Sequence, residues 1–323
     1  EMKRLLLIPL VLFLSCDDDD DSDCVDSIEV DTVRGACNVN LDYQNEVSFS
    51  TSGNSINITS NNIPDHNVGL FGNVSGALNP NAITPQNSTY ELDAAPTKAL
   101  SITELSNDNG PLYAFGIMIN GVELDPVAAE PWPHSHNEGP PTGDDVNWDW
   151  NLEASMVQIG LDCNNAHVQP TGKYHHHGVP TLYLESLIND EESMIHLGYA
   201  ADGFPIYYKN GYSIPNDTLS ALIDLESSFR LKTGIRPGDG SSVPCDEYSG
   251  VYTADYEYIE GLGDLDECNG RDGVTKEFPN GTYYYIITDE YPGIPRCFVG
   301  APSDDFRLGG GGPPLGRDPY HQH

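Results

Sequence analysis

A glycine or a proline interrupts this chain about once in every six residues, 32 glycines and 24 prolines among 323. Proline fixes φ and removes a backbone donor, and glycine weakens any helix or strand interior, so long unbroken elements are disfavoured. Turns, irregular loops and short segments remain. Several of those segments alternate apolar and polar residues with the period of a half-buried strand. "EVSFSTSGNSINITS" carries Val47, Phe49, Ile56 and Ile58 at that spacing, broken by Gly53 and Asn54. "LYAFGIMINGVEL" predicts two short strands around Asn120-Gly121, a dipeptide suited to a hairpin turn. "GTYYYIIT" is aromatic and β-branched and predicts another strand. "TLYLESLINDEESM" and "DTLSALIDLESSF" have three-to-four spacing and predict short helices, the second capped by Asp217-Thr218. The pattern predicts a mainly β chain (β-rich α+β), one compact disulfide-containing domain over residues 26–306 with many loops and a few short helices.

The flanks read differently. Lys3 and Arg4 precede the apolar run "LLLIPLVLFL", which has the length of a signal-peptide core and is too short to span a bilayer. It ends in "FLSC", which resembles a lipobox and makes residues 1–16 a lipoprotein signal with Cys16 as the lipidated residue. The run "DDDDDSD" dominates residues 17–25; charge this dense repels itself and predicts a solvated tether. It also resembles the acidic export signal of surface lipoproteins, which implies anchoring in the outer membrane, facing outward, with a periplasmic anchor as the alternative. Residues 307–323, "RLGGGGPPLGRDPYHQH", form a Gly/Pro-rich tail that includes His321 and His323.

Fifty acidic against 14 basic residues give a formal charge of −36, which disfavours nucleic acid and anionic lipid as partners. Beyond Cys16, six cysteines remain: Cys24, Cys37, Cys163, Cys245, Cys268 and Cys297. An even number in an exported chain predicts disulfides, with connectivity left open. Proximity in the chain favours Cys24 with Cys37, and Cys268 with Cys297. If all six pair, no thiolate is left to bind metal or act as a nucleophile.

"GKYHHHGVP" places His175, His176 and His177 in a row. On a strand, His175 and His177 would share a face, their Cα atoms roughly 6.6 Å apart. Two imidazoles so placed can converge on one metal ion, while His176 turns the other way with Tyr174. "NNAHVQPTG" adds His167, "NIPDHNVG" adds Asp65 and His66, and "MIHLGYAADGFPIYY" adds His196 and Asp202. His134 and His136, in a Pro/Gly-rich loop, are the weaker His-x-His pair. "GLGDLDECNGRDG" gathers Asp264, Asp266, Glu267, Asn269 and Asp272, hard oxygen donors that would suit calcium, though not at EF-hand spacing. The chain lacks G-x-S-x-G, H-E-x-x-H, a Walker loop and a strand-linked G-x-G-x-x-G.

The blocks "NNAHVQPTGKYHHHGVP", "LGYAADGFPIYY", "SSFRLKTGIRP" and "GLGDLDECNGRDGVTKEFPNGTYYYIITDEYPGIPRCFVG" together resemble the YHYH domain family of largely exported bacterial proteins. Tyr174, His175 and His177 match the first, second and fourth residues of the run that names that family. His176 stands where the family has a tyrosine. A related run near the family's end reads Tyr283, Tyr284, Tyr285, Ile286 here, without histidine. If paired runs build a binuclear site in some members, this chain has at most its first half. His66 and His167 lie in family-like blocks, which raises their weight over His134 and His136.

The leading expectation is a cell-surface lipoprotein that binds copper or zinc through His175 and His177, with His167 or His66 as third ligand and Asp202 in or beside the ligand set. Tyr174, His176 and Asp65 would stand behind the ligands. An open coordination position would make the same site a hydrolase or an oxidase. A surface glycan-binding or adhesion module is the third reading, resting on Trp132, Trp148 and Trp150.

Overall fold

The structure, a computed structural model, describes residues 28–133, 146–188 and 193–309. Among the sequence expectations, Cys16, Cys24, the tether, His134, His136, His321 and His323 lie outside these residues. The described chain is mostly β, as expected. Strands β1 (Val47–Ser52), β2 (Ser55–Ser60) and β3 (Ser88–Asp93) form an antiparallel sheet in that order. Gly53, with φ +61°, turns the first hairpin between the two runs that the alternation marked out.

The main sheet has eight strands: β4 (Gly116–Met118), β5 (Glu123–Leu124), β6 (Ala166–Val168), β7 (Tyr174–His176), β8 (Ile195–Ala200), β9 (Pro205–Tyr208), β10 (Gly270–Gly273) and β11 (Thr282–Ile287). Their spatial order is β6-β7-β5-β4-β8-β9-β11-β10. Two neighbouring pairs, β7 with β5 and β9 with β11, are parallel, and the remainder are antiparallel. β4 and β5 are the expected hairpin, with Gly121 at φ +80° in its turn.

Burial explains the composition of the inner strands. Tyr283, Tyr285 and Ile287 of β11 face one core, and Tyr284 and Ile286 face another. A strand covered on both faces reads as a continuous apolar run and not as an alternation. A further core gathers Trp132, Trp150, Leu152, Ile159 and Tyr252, built on a two-stranded antiparallel ladder of residues 131–132 with 147–151 and a bridge from Leu152 to Tyr252. The helix α1 (Thr181–Leu187) follows β7 and buries Tyr183 and Leu184. Among the described residues no helix is long and apolar enough to cross a membrane.

Two sequence expectations fail. No helix forms over "DTLSALIDLESSF": residues 222–224 pair with 210–212, and 229–231 pair with 256–258. Asp217 instead closes a tight turn, its Oδ1 accepting from Leu219 N at 2.9 Å. Sheet pairing and the burial of Leu225 in the third core override a weak local helical preference. Cys37 bonds to Cys163 and not to Cys24. A parallel bridge between Gly35 and Asp162 aligns the two segments and brings those sulfurs together across 126 residues, so closeness in sequence misleads. Cys268–Cys297 forms as expected, and Cys245 is disulfide-bonded too.

Candidate metal centre

β6 and β7 are antiparallel, with His167 directly opposite His175. Directly opposed residues project from the same face of a sheet, and so does a residue two further along. His177, just past β7, therefore joins the other two. Its Nε2 lies 3.0 Å from Nε2 of His175 and 3.0 Å from Nε2 of His167. The ring centroids are 4.7–4.8 Å apart, and all three side chains are buried.

The contacts within this cluster meet at His177. His167 Nδ1 lies 3.0 Å from the carbonyl oxygen of Ile159, which can only accept, so Nδ1 carries the proton. Neutral His167 then presents a bare lone pair at Nε2. His177 Nε2 has one in-plane site, either a proton or a lone pair, and cannot bond well to two ring nitrogens at once. A cation, unlike a proton, could bond to all three nitrogens at once. Metal–nitrogen bonds of about 2.0–2.1 Å put nitrogens about 2.9 Å apart at right angles and about 3.4 Å apart in a tetrahedron. The observed 3.0 Å contacts fall between these, so the three side chains fit a metal ion. The Ile159 carbonyl would then fix the ring orientation of His167 from behind.

Burial keeps His175 in the form that could bind a metal. His175 is held well below its ordinary pKa, first by burial and then by His167 and His177, so it is neutral without giving up a proton. On the same face, Lys173 Nζ meets Glu123 Oε2 at 2.6 Å, and Gln169 Nε2 donates to Asp125 Oδ2 at 3.3 Å. Burial, reinforced by Glu123, pushes the Asp125 carboxyl up to about 7.

The opposite face of β7 is structural. Tyr174 donates from its hydroxyl to Asp162 Oδ2 at 2.8 Å, and His176 Nδ1 donates to the carbonyl of Asn164 at 2.8 Å. His66 packs here, 5.9 Å from His176 and 6.2 Å from Tyr174 by ring centroid, and is not in the cluster. Asp202 is elsewhere too: its Oδ2 accepts from Tyr285 Oη at 2.6 Å and Gly300 N at 2.9 Å, tying β11 to the chain beyond it. Asp65 accepts from Asn120 Nδ2, and His196 Nε2 donates to the carbonyl of Gly198.

The acidic loop does not form a calcium cage. Asp264 accepts from Glu226 N; Asp266 accepts from Cys268 N, Gly270 N and Tyr283 Oη; Asp272 pairs with Lys98. Its carboxylates shape a turn instead of converging, and the metal-competent group among the described residues is the histidine triad. Trp132 and Trp150 are buried against Tyr252, so they offer no aromatic platform for a glycan.

Sequence reasoning missed the acidic pair beside the triad. The signal was there in "NGVELDP", where Glu123 and Asp125 alternate with Val122 and Leu124. Such alternation normally means a wet face, yet both acids are buried.

A family model described as YHYH protein matches residues 89–300. No curated protein and no solved structure matches the chain.

Proposed function

The chain belongs to the YHYH protein family, and from that premise we propose that it is a metal-binding protein whose ion is held by His167, His175 and His177. The observation that carries this reading is the convergence of three buried imidazoles, with His177 Nε2 lying 3.0 Å from the Nε2 atoms of both His175 and His167. Imidazole ligation without thiolate suits copper or zinc. A three-histidine site leaves a coordination position for water or substrate. Such a position would supply hydrolytic chemistry with zinc, or redox chemistry with copper.

The reading extends to where the protein works. Paired cysteines are typical of oxidising compartments outside the cytosol. Together with the leader-like run and the acidic tether, they support a surface lipoprotein attached through Cys16, with the metal domain held away from the membrane.

The test is metal content by elemental mass spectrometry, on chain purified without a polyhistidine tag, beside the His175→Ala/His177→Ala variant. One equivalent of copper or zinc in the native chain and none in a variant that still melts cooperatively is the expected result. The same metal content in both proteins would refute the site.

A further inference from the structure

The face that carries the triad continues across β5. In the parallel register Glu123 lies beside His175 and Leu124 beside His176, so Asp125 comes next, beside His177. Asp125 N donates to the carbonyl of His176 at 2.8 Å. Side-chain bonds agree with this facing. Lys173, two residues before His175, reaches Glu123, and Gln169, two residues after His167, reaches Asp125.

The two acids are not equivalent. Glu123 is neutralised by Lys173 and also accepts from Tyr90 Oη at 2.5 Å. Asp125 is 4 % exposed, its Oδ1 has no partner among the described residues, and its Oδ2 accepts from a neutral amide. An unpaired buried carboxylate is unfavourable unless a cation stands near it. Three neutral imidazoles, for their part, leave the charge of a bound ion uncompensated. Lys173 and Arg296 lie near enough to favour an ionised Asp125, but their ion pairs are with Glu123 and Glu153, so a cation held by the triad would add a charge that Asp125 does not share with another carboxylate.

We propose that Asp125 is the counter-charge of the ion held by His167, His175 and His177, and that it biases the site toward a divalent over a monovalent cation. This rests on the triad reading. Asp125 acts through space or a bridging water, since it does not belong to the ligating group.

The test compares Zn²⁺ with Ag⁺ binding by titration calorimetry in the native chain and in Asp125→Asn. Coulombic loss scales with the charge of the ion, so the fall in log affinity for Zn²⁺ should be about twice that for Ag⁺, roughly 30-fold against 5-fold. Equal losses, or none, would overturn the proposal, because a purely structural role weakens both ions alike. If Asp125→Asn does not fold, the same ratio is read on Asp125→Ser. A native chain that binds neither ion defeats the triad reading itself, which His175→Ala/His177→Ala tests separately.

Discussion

His176 shows what burial does to one imidazole. Its surroundings, with His66 adding to the effect, hold it down to about 3, against about 6.5 in an unfolded chain. Between those values the unfolded chain takes up a proton that the native one refuses. The stability it contributes is therefore full above about pH 6.5 and is lost as pH falls toward 3. From pH 8 to pH 5 the loss is about 2 kcal/mol. Asp125 and Asp202, raised to about 7 and about 6, act in the opposite direction, but equally in native and variant chains. His176→Gln should thus lose about 2 kcal/mol less over this interval, measured by urea denaturation at both pH values. Equal losses would show that His176 does not carry the effect. At this scale the sequence was readable where neighbours along the strand decide the geometry. The alternation in Tyr174-His175-His176-His177 put His175 and His177 on one face, as found. His66 and Asp202 could not be placed that way, because their partners, His176 and Tyr285, are remote in sequence.

Among the elements, β4 and β8 are held unusually close. A Cβ added at Gly198 would lie 2.1 Å from the carbonyl oxygen of Ile117, and one at Gly116 would lie 2.4 Å from that of Tyr199. The register of β8 against β9 also shifts between His196 and Gly198, an irregularity at which glycine is favoured. Neither neighbour is a flexible side-chain end that could swing aside. Gly198→Ala should therefore destabilise the protein by about 2–4 kcal/mol, in the range of strained or overpacked core substitutions. Thermal melting checks it; an unchanged midpoint would mean that β4 and β8 can separate without penalty. Hairpins and the first helix were legible because turn chemistry and periodicity are local. The second expected helix was not, since residues 222–224 and 229–231 answer to strands from other parts of the chain.

For the whole molecule, the Cys37–Cys163 bond closes a separation of 126 residues, and Cys268–Cys297 closes 29. Restricting the unfolded chain is worth more for the longer loop, about 5 against about 4 kcal/mol. Replacing Cys37 and Cys163 by alanine should accordingly lower stability more than replacing Cys268 and Cys297, in paired urea titrations. The reverse order would place the effect in the native packing of the second bond. The mainly β class could be read from glycine, proline and alternation. The two parallel pairings could not, because a parallel neighbour is set by crossovers that leave no local mark.

The run of three histidines also bears on the order of events in biogenesis. In the folded chain, pairing with β6 turns His175 and His177 one way and His176 the other. The unfolded chain has no such sorting, and any two adjacent imidazoles can seize an ion in passing. An ion that arrives early and is caught by His176 must be released before that ring can enter its buried seat beside Asn164. If the triad holds an ion as proposed, folding first and metallation second would avoid this trap, and the strand would act as proofreader for its own ligands.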